Sequence, residues 1–204
     1  MDRMPYNLNV TLELARERLR DLSPEEIAAR KNVRWQEDTG EIHCPSLKSV
    51  YRVRYPGGQV YGEGGGEVGT RCQVLILHYL ASSGTSLQGR WISFKELPGG
   101  SLYQQPFYSR SVLPLVKTFG FDLEKFLAAG RALGGERATV GHAGMILYPF
   151  PLVPVCISLW AGDEEVPPNG SILFDGSAAE HLATEDYAVL AELLVRRLKA
   201  AAAG

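Results

Sequence analysis

Cysteine is scarce in this chain, and the little that is present is scattered. Cys44, Cys72 and Cys156 are far apart and odd in number, which argues against a disulfide framework and against a CxxC-type metal or redox motif. An excess of one charge is lacking too. The formal net charge is -2, so no basic field points to nucleic acid or to an anionic membrane as partner. No apolar run approaches the roughly 20 residues that a membrane span needs. The opening MDRMPYNLNV has no signal-peptide core. The expected setting is the cytoplasm, with the thiols free. Catalytic signatures are missing as motifs: no G-x-S-x-G elbow surrounds Ser158 or Ser177, and no H-E-x-x-H occurs. The histidines are His43, His78, His142 and His181, and nothing in their placement points to a hydrolytic triad.

One nucleotide-like motif is present and is rejected. Gly64, Gly66 and Gly69 satisfy G-x-G-x-x-G between a strand-like and a helix-like run. The preceding strand belongs to a hairpin, however, and not to a parallel βαβ unit. Glu63 and Glu67 would repel a pyrophosphate, and the region where a ribose-binding acid belongs reads Leu87-Gln88-Gly89-Arg90. No Gly-Lys-Ser/Thr completes a P-loop.

What is there is best read from Val153 to Asp186. Val153, Val155, Ile157 and Leu159 alternate with Pro154, Cys156, Ser158 and Trp160, so both faces are largely apolar and a central strand is expected. Ser171 to Phe174 forms a second short strand. Between them lie Asp163, Glu164 and Glu165 on a loop punctuated by Gly162, Pro167, Pro168, Asn169 and Gly170. Thr184 offers a cap to a last helix with Val189, Leu190, Leu193, Leu194 and Leu198 at helical spacing. Earlier, Leu8 to Arg20 and the Ser23-Pro24-Glu25-Glu26 start predict two helices, the second ending near Lys31. Strands are expected over 33–36, 41–44, 49–55 and 59–62, with hairpin turns at Asp38-Thr39-Gly40 and Pro56-Gly57-Gly58. Helices follow over 71–79, from about 103 to 118, and over 123–133 behind Asp122. Trp91 to Lys95 reads as a strand. The 204 residues suit one domain, residues 1–204. The fold class is α+β: an antiparallel or mixed sheet of about six strands, with helices packed mainly on one face.

Three constellations could carry chemistry. Asp163, Glu164 and Asp175, with His181, could hold a hard cation or act as acid and base. Against this, acidic loops are ordinarily solvated, and Asp175 can bond its own turn. If the flanking strands are antiparallel neighbours, Ser171 to Asp175 spans roughly 13 Å, too far for one cation site. Asp163 and Glu164 then form one pair, and Asp175 with Ser177 and His181 a separate turn network. His43 and Cys44 are metal-ligand types, but adjacent residues on a strand point to opposite faces. Trp91, Tyr103, Phe107 and Tyr108 lie beside Arg90, Lys95 and Arg110, a set suited to a flat anionic ligand through stacking and cation–π contact.

The segments RWISFKELPGGSLYQQPF and PFPLVPVCISLWAGDEEVPPNGSILFDGSAAEHLATED, with the helix behind them, resemble an uncharacterised family of bacteria and archaea, many of them anaerobes, known as a domain of unknown function. The resemblance covers most of the chain and is densest in its last third. Some members of that family carry an added cysteine-rich iron–sulfur domain similar to that of corrinoid iron–sulfur proteins; this chain has no such cysteine cluster. The resemblance implies a fold neighbourhood and a setting in anaerobic one-carbon or redox metabolism; it supplies no reaction and no catalytic residue, and it leaves the cofactor open. Two readings follow. The first is a module binding a small molecule or cofactor, accessory to a corrinoid or iron–sulfur protein, with Trp91, Lys95, Tyr103, Tyr108 and Arg110 as the binding residues. The second is an enzyme that uses Asp163, Glu164 and Asp175, with or without a divalent metal.

Overall fold

The computed structural model describes residues 8–203. The chain opens with α1 (Leu8–Arg20) and α2 (Pro24–Lys31), continues through β1 (Arg34–Gln36), β2 (Glu41–Ser46), β3 (Ser49–Arg54) and β4 (Val60–Tyr61), and enters α3 (Thr70–Ala81). Next come β5 (Trp91–Ser93), a short 3-10 turn over Phe94–Glu96, α4 (Gly100–Phe107), a π turn over Tyr108–Val112, α5 (Leu113–Phe119) and α6 (Leu123–Ala132). The last part holds β6 (Glu136–Ala138), β7 (Ala143–Phe150), β8 (Val153–Trp160), β9 (Asn169–Asp175), α7 (Ala178–His181) and α8 (Thr184–Ala201).

The fold is α+β, as the pattern predicts, but the strands divide into two sheets instead of one of about six. One sheet has the order β1-β2-β3-β4 and the other β5-β9-β8-β7-β6. Every pairing is antiparallel. The first sheet is a run of local hairpins, and the turn expected at Pro56-Gly57-Gly58 joins β3 to β4 through Arg52↔Tyr61 and Val53↔Val60. In the second, β5 pairs with β9 through Trp91↔Asp175 and Ser93↔Leu173. That contact joins residues far apart in the chain, which local hydrophobic pattern does not encode.

Local physics explains the helix ends. Ser23 Oγ accepts from Glu26 N at 3.2 Å, and Asp122 Oδ1 from Lys125 N at 2.9 Å, satisfying N–H groups that first turns leave unpaired. Thr184 does not cap α8 as the sequence suggests. Ala183 takes that place, and Thr184 Oγ1 donates to Pro98 O at 2.7 Å.

One contiguous core includes Ile42, Val53 and Val60 of the first sheet and Met145, Leu147, Val155, Ile157, Leu159, Ile172 and Phe174 of the second. α8 contributes Leu190, Leu194 and Leu198. Leu173 falls outside it: with Ile172 and Phe174 turned to the core, period two sends Leu173 to the other face. Leu193 is half-buried at the edge of a cavity. Leu193→Ala should therefore cost about 1 kcal/mol, below the roughly 2–5 of full burial. A loss above about 2.5 kcal/mol in a urea melt would put Leu193 in the core.

Candidate functional site

The helix pattern from 103 onward is interrupted where the site forms. α4, the π turn and α5 follow without a break, with Pro106 inside α4 and Pro114 at the start of α5. A π turn holds one residue more than a regular turn and re-aims the side chains on either side. Tyr103, Pro106, Phe107 and Arg110 come to line one wall of a cleft of about 370 Å³. The facing walls are Arg71, Val74 and Leu75 of α3 and Glu185, Asp186, Ala188, Val189 and Glu192 of α8.

Aromatic packing sets the floor. Phe94 and Phe107 stack at 4.0 Å between centroids with 7° between planes. Both meet the edge of Phe174, at 6.5 and 6.2 Å. Phe174 in turn lies 4.7 Å from Tyr187 of α8. The cleft floor is thereby tied to the sheet and to the last helix.

Charge in the cleft is mixed and mostly paired. His78 Nδ1 lies 2.8 Å from Asp186 Oδ2. With a carboxylate as acceptor, Nδ1 carries the proton and donates. Glu192 Oε1 is 2.6 Å from Arg196 and 3.9 Å from Arg71. Arg110 is exposed and forms no ion pair among the described residues. A cleft with an aromatic floor and one uncommitted guanidinium can stack a flat ring and pair a negative group.

The five aromatic and basic candidates are not all brought here. Tyr103 and Arg110 line the cleft, while Trp91, Lys95 and Tyr108 do not. Trp91 lies on β5 beside Asp175, and period two puts it opposite Ile92, which shares the core face with Phe174. Lys95 is exposed on the 3-10 turn. Tyr108 follows Phe107 directly and projects to solvent, 41% exposed. Sequence reading missed His78 with Asp186. Both are visible as titratable residues on amphipathic helices, but 108 residues separate them.

The acidic candidates separate as well. Asp163 and Glu164 are exposed beyond the Trp160↔Asn169 end of the β8–β9 pair, whereas Asp175 closes β9 at its other end. Asp163 Oδ1 accepts from Glu165 N and Val166 N at 2.9 and 2.7 Å, a self-capped turn. Those hydrogen bonds, Val166 first, hold its carboxyl below the ordinary value. Asp175 is buried and accepts from Gln88 N, Gly89 N, Ser177 N and Ser177 Oγ at 2.6–2.9 Å. Burial pushes its carboxyl up, but these hydrogen bonds together outweigh burial and hold it low. His181 joins the same region: its Nε2 donates to Ser86 O at 3.2 Å, and burial lowers the imidazole. Among the described residues, no three His, Cys, Asp or Glu side chains are grouped to hold a metal.

Asp175 and His181 thus hold the 82–90 connection, and Lys31 holds its start. Lys31 is fully buried. Its Nζ donates to Ser82 Oγ and Gly84 O, both at 2.6 Å, and lies 5.3 Å from the Tyr79 ring centroid. Burial first, then the neighbouring Arg30 charge, brings its ammonium down to about 8. Gly84 is required there, since a Cβ would sit 2.7 Å from the His181 ring.

The fold and this cleft define a small α+β protein of two antiparallel sheets with a pocket between helices. Among the described residues, no helix is long and apolar enough to cross a membrane. The family model described as Domain of unknown function (DUF3786) matches residues 23–197, and the chain belongs to that family. No curated protein and no solved structure matches the chain.

Proposed function

We propose that this protein is a binding module, and that its ligand is a small flat molecule carrying a negative group, seated between α3, α4 and α8. The observation that supports this reading is the meeting of Tyr103 and Arg110 over the Phe94–Phe107 stack, in a cleft of about 370 Å³. That volume is within the roughly 300–1,000 Å³ of small-molecule sites. The ring of the ligand lies against Tyr103 and Phe107, and its anion pairs with Arg110. The proposal includes a single domain over the whole chain, for which the core shared by the two sheets speaks. It includes a cytoplasmic setting, which suits three free thiols. An iron–sulfur or corrinoid protein as partner belongs to the proposal through the family resemblance alone.

The test uses anilinonaphthalene sulfonate, a flat fluorescent anion. Its fluorescence should rise saturably on mixing with the protein. Arg110→Ala should weaken binding about tenfold, the value of one charge-assisted contact. Val189→Trp, which fills the cleft, should abolish it, and Arg131→Ala, on the exposed face of α6, should leave it unchanged. Binding untouched by both cleft substitutions would overturn the proposal.

A further inference from the structure

A second cavity lies on the other side of α3 and α8, also about 370 Å³. Its walls are apolar: Val68, Leu75, Phe150, Leu190, Leu193 and Leu194. At one side three polar groups converge. The Cys72 thiol and the Tyr51 hydroxyl share a hydrogen bond at 3.4 Å. The Arg197 guanidinium also donates to Tyr51 Oη and covers its ring at 5.7 Å. Tyr51 is 5% exposed, so its hydroxyl is fixed by packing.

Two features of this cluster are unbalanced. Arg197 has no carboxylate within ion-pair distance among the described residues, whereas the adjacent Arg196 is paired with Glu192. Tyr51 Oη accepts from Arg197, and the only side-chain acceptor beside its own proton among the described residues is the weakly accepting Cys72 sulfur. A guanidinium without an ion-pair partner and a phenol O–H at the wall of an apolar cavity suit an oxyanion, and with the neighbouring Arg196 already paired, a singly charged carboxylate fits best. The apolar walls are complementary to a hydrocarbon chain.

We infer that this cavity binds a medium-chain monocarboxylic acid, its carboxylate on Arg197 and Tyr51 and its chain among Leu75, Leu190, Leu193 and Leu194. An alcohol of the same length keeps the chain contacts and loses the charge. Arg196 also lines the cavity but is paired with Glu192 at 2.6 Å, so the second charge of a dicarboxylate would have to displace that partner. The site is independent of the cleft beneath Arg110: the two share Leu75 and no charged residue.

Calorimetric titration with butanoate, hexanoate and octanoate tests it. Affinity should rise about fourfold per methylene added, as burial of each group in an apolar wall requires. Arg197→Ala should weaken octanoate by about tenfold or more, and octanol hardly at all. Arg197→Lys should retain most of the octanoate affinity, which separates loss of charge from loss of fold. Leu193→Trp should remove binding of both. Octanoate should also protect Cys72 from methyl methanethiosulfonate, read by mass spectrometry of the peptide that carries it. The inference is overturned if octanoate gives no heat with the wild type, if Arg197→Ala binds it as well as the wild type, or if chain length has no effect. None of these results bears on sulfonate binding at the Arg110 cleft.

Discussion

Tyr79→Ala should lower the unfolding free energy by about 4–5 kcal/mol, read from the denaturation midpoint. Tyr79 is fully buried on α3, and its ring stacks on Phe150 at 4.8 Å with 11° between planes. Truncation leaves a cavity at that stack, and the surrounding structure closes such cavities only in part. The hydroxyl adds to this. It donates to Lys31 O at 2.7 Å and accepts from Leu152 N at 3.2 Å. Removing it leaves two buried backbone groups without a partner. The ring also faces the Lys31 ammonium, so its loss strips a buried cation of one of few favourable contacts. Tyr79→Phe isolates the hydroxyl and should cost about 1–2 kcal/mol. If the alanine variant does not fold, the phenylalanine variant still decides the point. A change below about 0.3 kcal/mol there would show that the hydroxyl is not the junction of α2, α3 and the β7–β8 turn.

Asp175→Ala is expected to cost about 3 kcal/mol at neutral pH. The carboxylate gathers four hydrogen bonds from the 88–89 backbone and from Ser177, and bonds to a charged group are worth about 1.5–3 kcal/mol each before water recovers the exposed donors. For a chain of this size the thermal midpoint should fall by roughly 6–12 °C. The effect carries a pH signature. The folded-state carboxyl is held below its unfolded value, near 3.9. Asp175 therefore contributes its full stabilisation above that unfolded value and loses it as pH falls through the lower folded one. The gap in stability between wild type and variant should be constant from neutral pH to about 5 and should close only in stronger acid. A gap that closed between pH 7 and 5 would assign the effect to a histidine, with His181 first in line.

Much of the fold was legible wherever a pattern and a punctuation mark agreed. α1 stands where Leu12, Ala15 and Leu19 predict it, all three buried. α2 begins at Ser23-Pro24, and β8 is buried from Val153 to Leu159 because both of its faces are apolar. The partition into two sheets was not legible. Turn residues specify which adjacent strands pair, but no local signal pairs Trp91–Ser93 with the end of β9. The phase of β9 was not legible for a related reason: in Ser171 to Phe174 three successive residues are apolar, so period two does not say that Leu173 faces away from the core.

The candidate site was half legible, and the missing half has a geometric cause. Tyr103 and Arg110 are seven residues apart, two helical turns, and share a face. Trp91 and Tyr108 have the same chemistry but are on other faces, which composition cannot distinguish. The acids show the converse. Asp163 and Asp175 looked alike as loop and turn acids, yet one caps its own exposed turn and the other is buried at the far end of the same hairpin.

The π turn at Tyr108–Val112 also makes the cleft sensitive to the number of residues as well as to their identity. Ser111 Oγ donates to Phe107 O at 2.6 Å inside that turn. A chain one residue shorter here could run as an unbroken α-helix, with nothing left to reconcile. The helices on either side would keep their facing, because a π turn takes in its extra residue within about one turn of rotation. Phe107 would stay on Phe94 and Tyr103 on its wall, whereas Arg110, inside the turn, would be re-aimed. The cleft would lose the aim of its uncommitted guanidinium and keep its aromatic floor, so spacing between Phe107 and Leu113 sets where the charge of the cleft points.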